Sequence, residues 1–107
     1  MKKTNYMILA LAAAVALPTF AGGDAAAGKA KSQVCAACHG PDGNSATGDF
    51  PKLAGQHEDY IVAALSQYKS GKRQNPIMAP QAANLSKQDM ADLAAYFSPQ
   101  QGLQLKY

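Results

Sequence analysis

The sequence is poor in the side chains that most metal and thiol sites require. It has two cysteines, Cys35 and Cys38, and two histidines, His39 and His57. The period-two alternation of apolar and polar residues that is typical of β-strands is absent, and no internal repeat is visible. The absence of strand patterns predicts an all-α fold, and any metal or thiol chemistry depends mainly on these four side chains.

The positive and negative charges of the chain are nearly balanced. The formal net charge is +3, and Lys2 and Lys3 contribute two of these positive charges. A chain with so balanced a charge has no electrostatic reason to bind nucleic acid or a strongly charged membrane surface. The sequence therefore predicts no nucleic-acid partner.

No apolar run is long enough for a membrane span. Residues 6–17 form an apolar stretch of about a dozen residues, whereas a membrane-spanning helix needs about 20. This stretch follows two lysines and precedes small residues that end at Ala21, which is the pattern of a secretory signal peptide. We predict that residues 1–21 are a cleaved signal peptide and that residues 22–107 form one domain. The alternative is an uncleaved membrane anchor.

Three segments have the periodicity of amphipathic helices. The first begins near Asp24, a suitable N-cap, and runs into the segment that contains both cysteines. The second covers about residues 57–70, and the third begins at Ser86, where Asp89 completes a capping-box pattern. The first helix is thin and rich in alanine, so it needs a bulky partner to pack against.

Two loops connect these helices. Residues 40–56 are dense in Gly, Pro, Asp and Asn, and they include the apolar side chains of Phe50 and Leu53, which predicts a loop wrapped around something. Residues 73–84 carry Met78 with a proline on either side. Because proline disfavours helix in the residue before it, we expect Met78 to lie in extended or turn-like chain.

Both cysteines and one histidine lie in a single hexapeptide, CAACHG, at residues 35–40. Three kinds of site use two cysteines at this spacing, and the first is a zinc site. Zinc needs four ligands, and His57 would have to be the fourth. Seventeen residues separate the two histidines, whereas zinc modules commonly leave three to five between them. This spacing argues against zinc.

The second kind of site uses sulfur alone. A thioredoxin-like dithiol is expected where a strand meets a helix, and no strand pattern precedes Cys35. A structural disulfide from Cys35 to Cys38 would close a loop of only two intervening residues, so it would constrain the unfolded chain little. Both alternatives are therefore weak.

The third kind of site, a covalently attached haem, accounts for all three reactive side chains. The thiols of Cys35 and Cys38 would add to the two vinyl groups of the porphyrin, and His39 would ligate the iron. In bacteria this attachment takes place outside the cytoplasm, which agrees with the predicted export. The sequence therefore predicts one covalently bound haem c.

The second axial position of the iron has three candidate ligands. Met90 lies on the apolar face of the last helix with Leu93 and Phe97, as a core side chain would. His57 stands in the first, solvated turn of its helix. Met78 has no such explanation, so we favour it as the ligand, and the alternative is that it fills the core.

Four segments taken together, CAACHG, PKLAGQ, GKRQNPIMAP and LSKQDMADLAAYF, resemble class I c-type cytochromes. The chain is similar in particular to one half of the periplasmic di-haem cytochromes and to their small single-haem relatives. The resemblance implies three to four helices around one haem, with Cys35 and Cys38 as thioether anchors and His39 and Met78 as axial ligands. It also implies that Pro51 offers its carbonyl oxygen to the free ring nitrogen of His39. A single Cys-x-x-Cys-His departs from the di-haem pattern and indicates one haem.

The resemblance further implies a close crossing of the first and last helices at Gly28 and either Tyr96 or Phe97. A His and Met ligand set leaves no open position on the iron, which predicts an electron carrier and not an enzyme. We expect a periplasmic monomer that carries one electron at a time between respiratory-chain donors and acceptors. The alternatives are a haem enzyme or gas sensor in which Met78 is a labile ligand, and a purely structural haem domain.

The redox partners, an oxidase or a reductase, are expected to dock transiently on a small surface. Such contacts bury less than about 1,200 Å². The small apolar residues of the segment 77–83 are a suitable surface beside an exposed haem edge. Lys69, Lys72 and Arg73 crowd the end of the second helix, and we interpret them as compensation of the helix dipole. A docking patch is the alternative.

Overall fold

The computed structural model describes residues 22–104, so the predicted signal peptide lies outside the described residues. All regular secondary structure in this part of the chain is α-helical, which confirms the all-α prediction. The helices are α1 (Ala25–Lys31), α2 (Gln33–His39), α3 (Glu58–Ser70), α4 (Met78–Ala83) and α5 (Lys87–Phe97).

The predicted first helix is divided into α1 and α2 at Ser32. The Ser32 side chain is buried, and its hydroxyl donates a hydrogen bond to the Lys29 carbonyl oxygen at 2.7 Å. The N–H of Cys35 bonds to the Ser32 carbonyl at 2.9 Å, which is the tighter i to i−3 pattern of a 3₁₀ turn. The chain is therefore nearly continuous helix from α1 to α2, with one tight turn between them.

The prediction that Met78 lies in extended chain was wrong, because Met78 is the first residue of α4. The side-chain oxygen of Asn75 accepts hydrogen bonds from the N–H groups of Ile77 at 2.9 Å and Met78 at 3.0 Å, and so satisfies the start of the helix. Pro80 lies in the first turn, where its missing N–H costs no helical hydrogen bond. The cap therefore outweighs the preference that Pro80 imposes on Ala79.

The core lies where α3 packs against α5. Four buried side chains form it, namely Ile61 of α3 and Leu93, Ala94 and Phe97 of α5. Helix α1 packs on α5 as well, and α4 packs on α3. The backbone of α2 adjoins only α1 among the five helices, although the Cys35 side chain also packs against the core, and the backbone of α4 adjoins only α3. The backbones of the helices that carry His39 and Met78 therefore do not adjoin each other.

The expected close crossing of the first and last helices is present at Gly28 and Tyr96. A Cβ atom on Gly28 would lie 1.9 Å from the Asp92 carbonyl oxygen and 2.9 Å from the Tyr96 Cβ. The buried carboxylate of Asp92 closes the same contact, because it accepts hydrogen bonds from the Asp24 N–H at 2.8 Å and from Lys31 Nζ at 2.5 Å. Backbone contact and a buried ion pair thus join α1 to α5.

Candidate haem site

The two cysteines lie on α2, three residues apart. Both are half-buried and carry free thiols. Cys35 packs against the core, and this burial, with a smaller effect of Cys38, raises the pKa of the Cys35 thiol. The Cys35 sulfur thus lies on the side of α2 that adjoins the core, and Cys38 is one helical turn further along.

His39 is the last residue of α2 and is buried, with 6% of its surface exposed. Its Nδ1 lies 2.7 Å from the carbonyl oxygen of Pro51. Since a carbonyl oxygen only accepts hydrogen bonds, Nδ1 carries the proton, which leaves the lone pair on Nε2. A metal-binding histidine is commonly held in this way, with its second ring nitrogen bonded to a carbonyl group.

The loop between α2 and α3 brings Pro51 to His39 by folding back on itself. The N–H groups of Leu53 and Ala54 both donate to the Gly43 carbonyl, at 2.8 and 3.2 Å. Gly43 has φ 88°, and a Cβ atom there would lie 2.7 Å from the Ala54 nitrogen and 2.8 Å from the Phe97 ring. Only glycine suits this position, where the loop turns against the core. The loop thus folds back on itself, and its apolar side chain Leu53 packs against the core.

Met78 is partly buried at the start of α4. Its helix does not adjoin α2 along the backbone. The donor set suits a haem: two thiols, a buried imidazole with an oriented nitrogen, and a thioether sulfur. Within residues 22–104 no group of three or more His, Cys, Asp or Glu side chains is arranged to hold a metal ion by itself.

The other two candidates for the second axial position have different surroundings. Met90 is 2% exposed, and its sulfur accepts a hydrogen bond from the Ser66 hydroxyl at 3.3 Å, in the contact between α3 and α5. It is therefore a core side chain, as its position on the apolar face predicted. His57 is exposed and immediately precedes α3. Met78 stays the candidate for this ligand.

Two of the three cations near the end of α3 make contacts within the protein. Lys69 Nζ donates to the Leu85 carbonyl at 2.5 Å, so it satisfies a carbonyl group that follows α4. Arg73 donates to the Tyr60 hydroxyl at 3.3 Å, and its guanidinium lies 4.9 Å from the centre of the Tyr68 ring. These contacts favour a structural role, although Lys69 acts on another segment and not only on the end of its own helix.

Two polar residues that shape the loop around His39 were not predicted from the sequence. The hydroxyl of Ser45 donates to the Phe50 carbonyl at 2.7 Å, and the side-chain nitrogen of Asn44 donates to the Gln101 carbonyl at 2.8 Å. The one available signal was an Asn-Ser pair in a glycine-rich loop, which fits any turn. The partner of Asn44 is 57 positions away and has no local signature.

Comparisons with known proteins agree with this geometry. Residues 25–99 match the Cytochrome c family. Cytochrome c4 of Pseudomonas aeruginosa is 56% identical over 80 residues, which cover 75% of this chain and 40% of that protein. Cytochrome c-554(548) of Halomonas halodenitrificans is 43% identical over 82 residues, which cover 74% of this chain and 99% of that protein. The crystal structure of reduced recombinant cytochrome c4 from Pseudomonas stutzeri is similar with a TM-score of 0.72 and 46% identity, covering 77% of this chain and 48% of that chain.

The chain thus spans less than half the length of these cytochrome c4 relatives and nearly the full length of cytochrome c-554(548). The predicted resemblance to class I c-type cytochromes is confirmed, together with the cytochrome c fold. This similarity implies a covalently bound haem c, and the residues of α2 fit that group. The chain belongs to the cytochrome c family.

Proposed function

We propose that this protein is a periplasmic carrier of single electrons with one haem c, and that it is not an enzyme. The orientation of His39 is the observation on which the proposal rests. The ring is buried, Nδ1 is held by Pro51 at 2.7 Å, and the Nε2 lone pair is left for iron. Two thiols precede this ring on the same helix, at the spacing that covalent attachment requires.

Each predicted site residue has one task in this proposal. Cys35 and Cys38 form the thioether bonds, His39 and Met78 supply the axial ligands, and Pro51 orients His39. The bound haem supplies an iron that alternates between the ferric and ferrous states. The protein holds both ligands in a rigid, largely apolar setting, so that little rearrangement accompanies each change of charge.

The ligand set explains why electron transfer is favoured over catalysis at the iron. With both His39 and Met78 bound to the iron, no position on the metal would be left for a substrate or a gas. Methionine ligation also raises the reduction potential compared with two nitrogen ligands. The relatives named above are cytochromes whose names mention no enzymatic activity. A haem enzyme or gas sensor would require Met78 to leave the iron readily.

We propose that redox partners dock transiently beside α4 and that the protein acts as a monomer. Ile77 is 57% exposed, and Pro80 and Ala83 are exposed as well. The predicted surface needs one correction, because Ala82 is fully buried and contributes nothing to it. A surface made of these few exposed side chains suits the small interfaces of redox encounters, which bury less than about 1,200 Å².

The periplasmic location rests on two arguments. The first 21 residues have the pattern of a secretory signal, and covalent haem attachment of this type occurs in bacteria outside the cytoplasm. In residues 22–104, no helix combines the length and apolar character of a membrane span.

The proposal is tested by the absorption spectrum of the purified protein with and without carbon monoxide or cyanide. We expect the wild type to show the sulfur-to-iron charge-transfer band and to bind neither ligand readily. Met78→Ala should lose the band and bind both, whereas Met90→Ala should keep the band. Rapid ligand binding by the wild type would support the haem enzyme or gas sensor instead, and loss of the band in Met90→Ala alone would show that Met90 is the ligand.

A further inference from the structure

The segment 100–103, here called the C-terminal strap, lies against the loop that carries Pro51. Two hydrogen bonds join them. The Asn44 side chain donates to the Gln101 carbonyl at 2.8 Å, and the Leu103 N–H donates to the Ala54 carbonyl at 2.8 Å. Because Asn44 and Ala54 lie near opposite ends of the loop, the strap holds both of its ends.

The strap and the loop approach each other so closely that glycine is required on both sides. A Cβ atom on Gly102 would lie 2.6 Å from the Asn44 side-chain oxygen and 2.7 Å from the Ala54 Cβ. A Cβ atom on Gly55, whose φ is 79°, would lie 2.7 Å from the Leu103 carbonyl oxygen. These distances are shorter than van der Waals contact, so a side chain at either position would force the strap and the loop apart.

A short series of contacts connects the strap to His39. Asn44 is followed by Ser45, whose hydroxyl donates to the Phe50 carbonyl at 2.7 Å. Phe50 precedes Pro51, which accepts the Nδ1 proton of His39 at 2.7 Å. The Phe50 ring also faces the His39 ring, with centroids 6.4 Å apart and planes at 64°. The Ser45 hydroxyl thus holds the backbone of the residue that precedes Pro51.

We propose that the C-terminal strap, with Asn44 and Ser45, is a positioning element that fixes the orientation of the His39 ring through Pro51. This inference rests on the proposed role of His39 as an axial ligand. The strap itself touches neither His39 nor the iron in this mechanism. It acts by keeping the Pro51 carbonyl at hydrogen-bonding distance from Nδ1.

Loosening the strap has a defined chemical consequence. A longer Nδ1–H···O bond protects the Nδ1 proton less from exchange with water. It also makes the imidazole a poorer electron donor, which stabilises the ferric state less, so the reduction potential rises. Loss of one hydrogen bond, at about 1 kcal/mol, corresponds to about five-fold faster exchange of this proton by local opening.

The test uses the holoprotein and a set of matched variants. Ser45→Ala removes the hydroxyl, and Ser45→Thr keeps it. Gly102→Ala pushes the strap away, whereas Gly48→Ala is a matched glycine substitution in the same loop, because a Cβ atom there would meet nothing within 4 Å. Exchange of the His39 Nδ1 proton in the ferrous state is measured by NMR, and the reduction potential by redox titration.

We expect Ser45→Ala and Gly102→Ala to show about five-fold or faster exchange and a higher potential, with Ser45→Thr and Gly48→Ala close to wild type. Asp92→Asn controls for general loss of stability, because the hydrogen bonds of the Asp92 side chain go to Asp24, Lys31 and Gln88 and not to the loop. Should Gly102→Ala fail to fold, Asn44→Ala takes its place, because it removes the donor to the Gln101 carbonyl and leaves Ser45 intact.

Two results would overturn the proposal. One is exchange and potential in Ser45→Ala equal to those of Gly48→Ala. The other is an equal change in Asp92→Asn at the same loss of stability. The wild-type spectrum distinguishes failure of the strap proposal from failure of the proposed function. A wild type without the sulfur-to-iron band contradicts His and Met ligation, whereas an intact wild type with unaffected variants contradicts only the strap.

Discussion

The contact between α1 and α5 and the region between α2 and α4 are held by different means. At the first, the backbones meet at Gly28, and the buried Asp92 carboxylate bonds to Lys31 and to the Asp24 N–H. At the second, the proposed ligands lie on two different helices. Contacts within the protein close the first region, whereas the backbones of α2 and α4 do not adjoin each other. In our proposal the haem joins these two helices.

Removal of the covalent bonds should have the largest effect, because loss of the haem from the second region should unfold the whole of this small domain. We expect the double substitution Cys35→Ala and Cys38→Ala to give a haem-free chain that is largely unfolded, because so small a domain has little other apolar material for α2 and α4 to pack on. Far-ultraviolet circular dichroism should show most of the helical signal lost. A haem-free double variant with native helix content and a cooperative unfolding transition would contradict this view.

Gly28→Ala should have the next largest effect and should act on the first region alone. The added Cβ would lie 1.9 Å from the Asp92 carbonyl oxygen, so the helices must separate. We expect a loss of about 3 kcal/mol or more in the free energy of unfolding, measured with denaturant, while the haem stays attached and its spectrum is unchanged. Gly48→Ala serves as the control, with a change within about 0.5 kcal/mol. An altered haem spectrum in Gly28→Ala would show that the two regions are coupled.

Acid should weaken the first region through its carboxylates. Lys31 lowers the pKa of Asp92, and it lowers that of Asp89 from 3.8 to about 2 with help from the cap at Ser86. Both pKa values are lower in the folded state, so the unfolded chain takes up protons first as the pH falls. The stability that these carboxylates contribute is complete at neutral pH and is lost below pH 3.8, towards about pH 2.

The measurement is the free energy of unfolding across this pH range for the wild type and Lys31→Met, which keeps the apolar stem of the side chain. We expect a shallower dependence on pH in Lys31→Met, because both carboxyl pKa values move back towards 3.8. Identical slopes in the two proteins would show that Lys31 does not set these pKa values.

The smallest effect is expected from salt on electron transfer. The 10 Lys and Arg side chains of the chain are nearly balanced by 7 Asp and Glu, and long-range steering needs a substantial net charge. Stopped-flow oxidation of the reduced protein by its acceptor should change only a few-fold between low and physiological ionic strength. A fall of about a hundred-fold that disappears in Lys72→Glu would identify a steered docking patch at the end of α3.

The parts of the fold that could be predicted are those with a local signal. Periodicity located α3 to within one residue, and the Ser86 and Asp89 pattern marked the start of α5, where both bonds of the capping box are present at 3.0 and 2.9 Å. Helix α4 was missed because its cap is the side chain of Asn75, which precedes a segment that reads as loop. The pair of Lys31 with Asp92 joins residues 61 positions apart, and no local pattern indicates such a contact.

The candidate site also has one part with a local signal in the sequence and another part without one. The CAACH motif on α2 could be identified from spacing alone, because its residues are neighbours on one helix. The orientation of His39 depends on Pro51, twelve positions away, and it was expected only from the resemblance. The strap could not be anticipated, since glycine and asparagine in a polar tail are compatible with many conformations.

The bond from Ser45 to the Phe50 carbonyl has a consequence for how this loop tolerates change. It joins the two ends of a short surface turn whose four intervening residues, 46–49, are all exposed. Extra residues at the tip would lengthen this turn without entering the segment that reaches the imidazole. A peptide tag or a linker to an electrode surface inserted after Gly48 should therefore leave the redox centre unchanged. Natural length variation among homologous chains is expected to concentrate at the same four positions.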